Sequence, residues 1–259
     1  RLDRLRACRC CRRACRFHQD EIRPKGCNVS AIPVLWFAPQ TCARVTLTAL
    51  EEIGEPFETR LVAFMAGEHR SEEFLAVNPA GKVPALETAH GVIVQNGAIL
   101  TFLAQRHPQA GLLPRPEDAA RSTQVLEELL RCSSDLHPLV TRFVMSGMIS
   151  THADDAPRIR AKAGEGLAMQ LTVLEQRLSA QPWMLGQDWS ILDAYLAWIW
   201  FRITGAGFEQ TKFPALQQHY ATASQRPSAQ AALRHEEKAQ DELRARGLHF
   251  QPPPVGKPD

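Results

Sequence analysis

Apolar residues fall first into short runs and then into long helical stripes. "AIPVLWF" (31–37) is a continuous apolar run closed by Pro39, the pattern of a buried strand. In "TCARVTLTALEEIG", Val45, Ala49, Leu50 and Ile53 share one helical face and Gly54 supplies a stop. "PFETRLV" (56–62) predicts a second strand and "SEEFLAV" (71–77) a brief helix. An Asn-Pro turn follows, then "VPALE" and "GVIV" as two strands around His90-Gly91. "NGAILTFLAQRH" (96–107) predicts a helix with Ala98, Ile99, Phe102 and Leu103 on one face. The order is β-α-β-α-β-β-α.

"HPQAGLLPRPED" (107–118) is rich in Pro and Gly and reads as a linker. Everything beyond it is helical in pattern. Leu126, Leu129 and Leu130 lie on one long helix, and Leu167, Leu171, Leu174 and Leu178 repeat at helical spacing on another. "SILDAYLAWIWFRI" makes a third, in which Ser190 and Asp193 form a capping box and Trp198 and Trp200 read as core. The expected organisation is a leader at 1–29, an α/β domain at 30–107, a linker at 108–117, an all-helical domain at 118–246 and a disordered tail at 247–259.

One position breaks the strand pattern. Pro84 sits between Val83 and Ala85, where a residue of a sheet ladder should donate a hydrogen bond. An X-Pro bond adopts the cis form at small cost. A cis Val83–Pro84 bond turns the Val83 backbone N–H and C=O outward, ready to pair with an extended ligand.

Composition narrows the field. At 259 residues the chain is long enough for two cored domains, with 44% hydrophobic and 22% charged residues. Its longest strongly apolar stretch, "ILDAYLAWIWF", contains Asp193 and is too short for a membrane span. The net charge of +2 hides nine Lys/Arg against three acids in residues 1–30, so the remainder is slightly acidic and offers no footprint for nucleic acid. Five of the seven cysteines lie in that same head, leaving Cys42 and Cys132 in a body that reads as belonging to a reducing compartment. Cys8, Cys10, Cys11, Cys15 and His18 of the head fit no paired zinc-knuckle spacing. The head reads as an upstream stretch without a fold, with an Arg-rich targeting leader as the alternative, and no metal is expected.

An α/β half, a Pro-rich linker and an all-helical half, with "NPAGKVPALE", "VQNGAILTFLA" and "PWMLGQDWSILDAYL" in that order, resemble a cytosolic glutathione transferase over residues 30–245. "LWFAPQTCA" is similar to the bacterial beta-class members, which keep a cysteine after a Pro-x-x spacer. The resemblance implies a thioredoxin-like domain joined to an all-α domain. It also implies a cytoplasmic homodimer without a permanently bound cofactor. Glutathione would be the co-substrate, and small hydrophobic electrophiles or disulfides its partners.

By the same resemblance Cys42, at the start of the first helix, forms a mixed disulfide with glutathione; a helix N-terminus lowers a thiol's pKa if the sulfur is accessible. The alternative for Cys42 is inward packing as a small hydrophobe. Thr41 is the rival donor to glutathione's sulfur. Val83 and Pro84 would present the backbone to the cysteinyl unit. Gln95 and Asn96 would hold the γ-glutamyl end, and Asn96 stands where the family usually has Ser. In "SSDLHPLV", Ser134 is expected to contact glutathione and His137 to polarise a sulfur. The lysine that beta-class proteins carry after the second strand is missing from "LVAFMAGEHR", which leaves Arg70 or His69 for the glycyl carboxylate. Two other functions stay open: a fold retained for binding without turnover, and a glutathione-dependent isomerase.

Overall fold

The computed structural model describes residues 32–115 and 118–248. The expectations for the Arg/Cys-rich head and for the terminal "QPPPVGKPD" lie outside them. Four strands make one sheet in the order β2-β1-β3-β4: β1 (Val34–Phe37), β2 (Glu58–Leu61), β3 (Ala85–Thr88) and β4 (Gly91–Val94). β1 runs parallel to β2 and antiparallel to β3, and β3 pairs antiparallel with β4. All four residues of β1 are buried, which suits a run of large apolar side chains covered on both faces. Leu35 and Phe37 point toward α1 (Ala43–Ile53) and α3 (Asn96–Arg106), in the main core. Trp36 points the other way and packs with Val62, Ala85 and Phe74 of α2 (Glu72–Val77). This is the thioredoxin-like layering that the resemblance implies.

The second half is helical: α4 (Ala119–Leu130), α5 (His137–Val144), α6 (Ala156–Ala180), α7 (Ile191–Gly205), α8 (Pro214–Ser224) and α9 (Pro227–Ala245). The predicted leucine stripe of α6 is buried throughout, from Leu167 to Leu178. α4 does not stop at Leu130. It passes into a π-helical segment, Arg131–Leu136, that runs on into α5, and His137 N–H bonds back to Cys132 C=O across the widened turn. Such segments recur at functional sites.

α1 differs from its sequence reading. A single buried face was expected, yet Ala43 and every residue from Val45 to Leu50 are buried. The reason is tertiary. α9 and α7 both pack on α1, so its outward side is covered as well. Around the buried alanines of α9, Ala232 and Ala239, that contact carries polar pairs. Arg44 makes a two-pronged bond to buried Glu236 (3.1 and 2.6 Å), His235 pairs with Glu51 (2.7 Å), and Glu52 accepts from Arg226 (2.6 Å) and Ser228 (2.5 Å).

α7 is the central helix of this half and begins on the predicted capping box. Ser190 N–H and Oγ both donate to Asp193 Oδ2 (2.9 and 3.1 Å), and Asp193 Oδ1 takes Met184 N–H (2.8 Å) and His219 Nε2 (2.9 Å). Asp193 and His219 are both buried. Four donors replace the water a carboxylate loses on burial. Asp193→Ala is expected to lower unfolding free energy by about 3 kcal/mol or more, since it strands those buried donors. Urea unfolding would show it, with Lys162→Ala, at an exposed ion pair, staying within about 0.5 kcal/mol of the parent.

Candidate functional site

A cleft of about 1860 Å³ lies where the helical wall of α4, α5 and α7 faces the ends of β1 and β3 and the start of α3. Its polar floor is assembled from three turns. At the first, α1 starts at Cys42 after Gln40, whose φ of 63° is left-handed. At the second, "NPAGKVP", the side chain of Asn78 closes the loop by donating to Lys82 C=O (2.5 Å) and accepting from Ala80 N–H (3.1 Å). Gly81, at φ 61°, fits there because a Cβ would meet His69 C=O at 3.0 Å. The third is Gln95, at φ 72°, which opens α3. Among the described residues Gln40 and Gln95 are the two non-glycines with positive φ. Each stands just before a helix, α1 and α3, and backbone strain of this kind clusters at functional sites.

The Val83–Pro84 bond is cis, as the sequence predicts. Val83 C=O lies 3.8 Å from Cys42 Sγ, and Val83 N–H has no acceptor among the described residues. Gln95 is exposed and lines the cleft. Ser134, on the π segment, lines it too.

Other expectations require correction. Cys42 is buried, at 6% exposure, and burial pushes its thiol up to about 12. It still lines the cleft, and desolvation outweighs the lowering expected from the helix start. Thr41 is not a free donor: its hydroxyl donates to Ala38 C=O (2.7 Å) and accepts from Ala43 N–H (3.3 Å). Asn96 is also committed internally. It donates to Cys42 C=O (3.0 Å) and accepts from Thr46 Oγ1 (2.6 Å), pinning the start of α3 to the start of α1. Only its backbone, at the helix start, remains for a ligand.

His137 faces Tyr195, its Nδ1 lying 3.1 Å from the phenol oxygen, and it stacks edge-on with Trp198 at 4.8 Å. Burial, helped by the charge of Lys82, lowers it to about 4, so it is a neutral imidazole at neutral pH. Arg70 is exposed and does not line the cleft. His69 stacks on Phe64 and bonds to its carbonyl (3.0 Å). Lys82 supplies a cleft cation instead. It was legible as the charged residue next to the Val-Pro pair, but nothing in spacing alone distinguishes it from Arg70.

One further residue escaped the sequence reading. Tyr195 is fully buried behind His137 and interacts with Asn96. Trp198 and Trp200 belong to the buried core as expected, and Trp198 also borders the cleft and donates to Gln40 C=O (3.2 Å). The resulting arrangement is a rigid polar floor with open backbone donors, walled on one side by apolar residues. It suits an extended, anionic, peptide-like ligand with its middle on Val83 and one carboxylate at the start of α3.

Family models for the N-terminal and C-terminal domains of glutathione S-transferase match residues 34–105 and 157–222. A maleylacetoacetate isomerase of Pseudomonas aeruginosa is 32% identical over 131 residues, which are 50% of this chain and 60% of that relative's length. A sphingomonad glutathione S-transferase complexed with glutathione superposes with a TM-score of 0.69 at 29% identity, covering 79% of this chain and 98% of that one. A bacterial beta class glutathione S-transferase from Sphingomonas chungbukensis gives 0.68 at 28% identity, over 78% and 98%.

The state of His137 sets a pH dependence. Its folded pKa lies below the ordinary value of 6.5, so between pH 6.5 and about 4 the unfolded chain binds a proton that the folded chain refuses. Stability therefore falls as pH drops through that window and levels off below it, by about 3 kcal/mol in total for this group. Denaturant titrations across the window are expected to show a shallower fall for His137→Gln.

Proposed function

Because this chain belongs to the glutathione S-transferase family, we propose that it binds glutathione in the cleft and joins its sulfur to small apolar electrophiles. The observation that carries the reading is the N–H of Val83, without an acceptor among the described residues, beside the cis Val83–Pro84 bond, in the same cleft as the start of α3. Glutathione's cysteinyl unit pairs with Val83. Its γ-glutamyl carboxylate takes the first N–H groups of α3 at Asn96, with Gln95 on the amine and Ser134 at the rim. Lys82 takes the glycyl carboxylate in place of Arg70.

The sulfur then lies at the start of α1, where Cys42 N–H and the helix dipole favour the thiolate over a thiol that is otherwise a few per cent ionised at neutral pH. Attack forms the sulfur–carbon bond as the leaving group departs or a π pair shifts, and the thiol proton passes to water. Thr41, Cys42 and His137 act in this scheme by position. Thr41 holds the turn, Cys42 fills the floor, and His137 orients Tyr195. A homodimer in the cytoplasm accords with the family. The match to a maleylacetoacetate isomerase supports a second reading, in which the glutathione adduct forms reversibly and returns an isomerised substrate.

Two measurements test this. Gln95→Gly relieves a left-handed non-glycine conformation while deleting the side chain. Stability within about 1 kcal/mol of the parent is expected, together with glutathione binding weakened by about tenfold in calorimetry; unchanged binding would remove Gln95 from the site. Exposure to oxidised glutathione followed by peptide mapping is expected to leave Cys42 unmodified in the folded protein. A reducible adduct that forms faster on Cys42 than on Cys132 would restore the cysteine-exchange mechanism.

A further inference from the structure

The cleft wall carries four cations, Lys82, Arg142, Arg202 and Arg244, and no Asp or Glu among its described residues. Their surroundings differ. Arg244 is paired with Asp241. Lys82 stands by the second turn, at the glycyl end. Arg142 is exposed at the rim and has no carboxylate partner among the described residues. Arg202 is half-buried on α7, one turn beyond Trp198, and its recorded hydrogen bond goes to a neutral amide, Gln40 Oε1, at 3.2 Å. It makes no ion pair among the described residues.

The groups around Arg202 do not neutralise it. Glu236 is near enough to feel its charge, but both carboxylate oxygens are engaged by Arg44. Arg44, Glu236 and Arg202 together keep one uncompensated positive charge. Desolvation, with Arg44 nearby, lowers the pKa of Arg202. A half-buried guanidinium with most of its five N–H groups free is an unfilled seat for a planar anion. Its place in the fold fixes which end of the cleft the anion occupies. Gln40 stands two residues before Cys42, so the seat adjoins the start of α1. The same cleft has an apolar lining: Met65, Met145, Met148, Ile149 and Leu243 line it, and the first, third and fourth are well exposed.

We propose that the second substrate is an apolar molecule bearing a carboxylate, with its acid group held by Arg202 beside the start of α1 and its body on the methionine-rich wall. This deepens the transferase reading by naming the class of its co-substrate, and rests on that reading only for what happens after binding. The proposed function seats glutathione's two carboxylates at α3 and Lys82, which leaves Arg202 for the partner molecule. Methionine side chains adapt to varied apolar shapes, which leaves the carboxylate as the feature this seat selects.

The test is equilibrium binding, independent of turnover. Calorimetry on the full chain compares naphthylacetate with naphthylacetamide, its neutral counterpart, with and without saturating glutathione. The parent protein is expected to bind the acid at least about tenfold more tightly in both conditions, and Arg202→Gln to remove that preference. Equal binding of acid and amide by the parent overturns the proposal, as does a preference that survives Arg202→Gln. So does a preference that glutathione abolishes, because the seat would then belong to glutathione. If Arg202→Gln fails to fold, Arg202→Lys keeps the charge and loses the fork. It is expected to reduce the preference severalfold, and an unchanged preference overturns the proposal. An acid preference in a protein that does not bind glutathione supports this seat and removes the transferase reading alone.

Discussion

The carboxylate of Asp193 is the point from which the helical half takes its geometry. It is fully buried and takes bonds from the backbone at Met184 and Ser190, the hydroxyl of Ser190 and the ring of His219. Those four donors come from the loop before α7, from the residue that caps it and from α8. They fix where α7 begins and how it is rotated. Everything that α7 brings to the cleft follows from that rotation: Tyr195 against His137, Trp198 against Gln40, Arg202 beyond it. A buried charge this well surrounded is weak as a source of net stability and strong as a source of geometric definition, because every displaced arrangement strands a donor.

Below the cleft a second polar network does for the two halves what Asp193 does for one. Thr46, Asn96 and the carbonyl of Cys42 join α1 to α3, and Tyr195, through Asn96 and His137, extends that link to α7 and α5. Every member is uncharged at neutral pH. Burial holds the Cys42 thiol and the Tyr195 phenol protonated and the His137 imidazole deprotonated. The floor therefore contributes fixed dipoles and leaves ionic recognition to groups at the rim. The apolar wall contrasts with it. Met148 is 63% exposed and Leu126 51%, so this side presents mobile, unbranched or singly branched side chains to solvent while the opposite side is locked.

How much of this was legible depended on whether the cause was local. Strand and helix order, the stop at Gly54, the cis bond before Pro84 and the capping box at Ser190 all follow from residues adjacent in sequence, and the structure contains each of them. Distant packing decided the rest. Cys42 resembles a helix-start thiolate until Val83, from the turn before β3, and Tyr195 of α7 are brought near it. Asn96 resembles a ligand-binding cap until Thr46, on another helix, occupies its oxygen. Arg70 and Lys82 are equally plausible cations in sequence, and only the path of the loop closed by Asn78 turns one toward the cleft. The π segment at Arg131–Leu136 has no composition of its own; it appears where Ser133 packs beside Gly97 of α3.

The polar clasp between α1 and α9 ties the first helix of the fold to its last. Arg44 and Glu236 are 192 residues apart in the chain. At a synthesis rate of roughly 5–20 residues per second, the helix that floors the cleft emerges roughly 10–40 s before its partner exists. During that interval Arg44, Glu51 and Glu52 face water, and their charges keep the uncovered side of α1 from acting as a sticky surface. An apolar α1–α9 seam of the same area would expose a nascent chain to premature association for the whole of that time. Long sequence separation and a charged seam thus fit each other: the contact that closes last is the one built from groups that tolerate waiting.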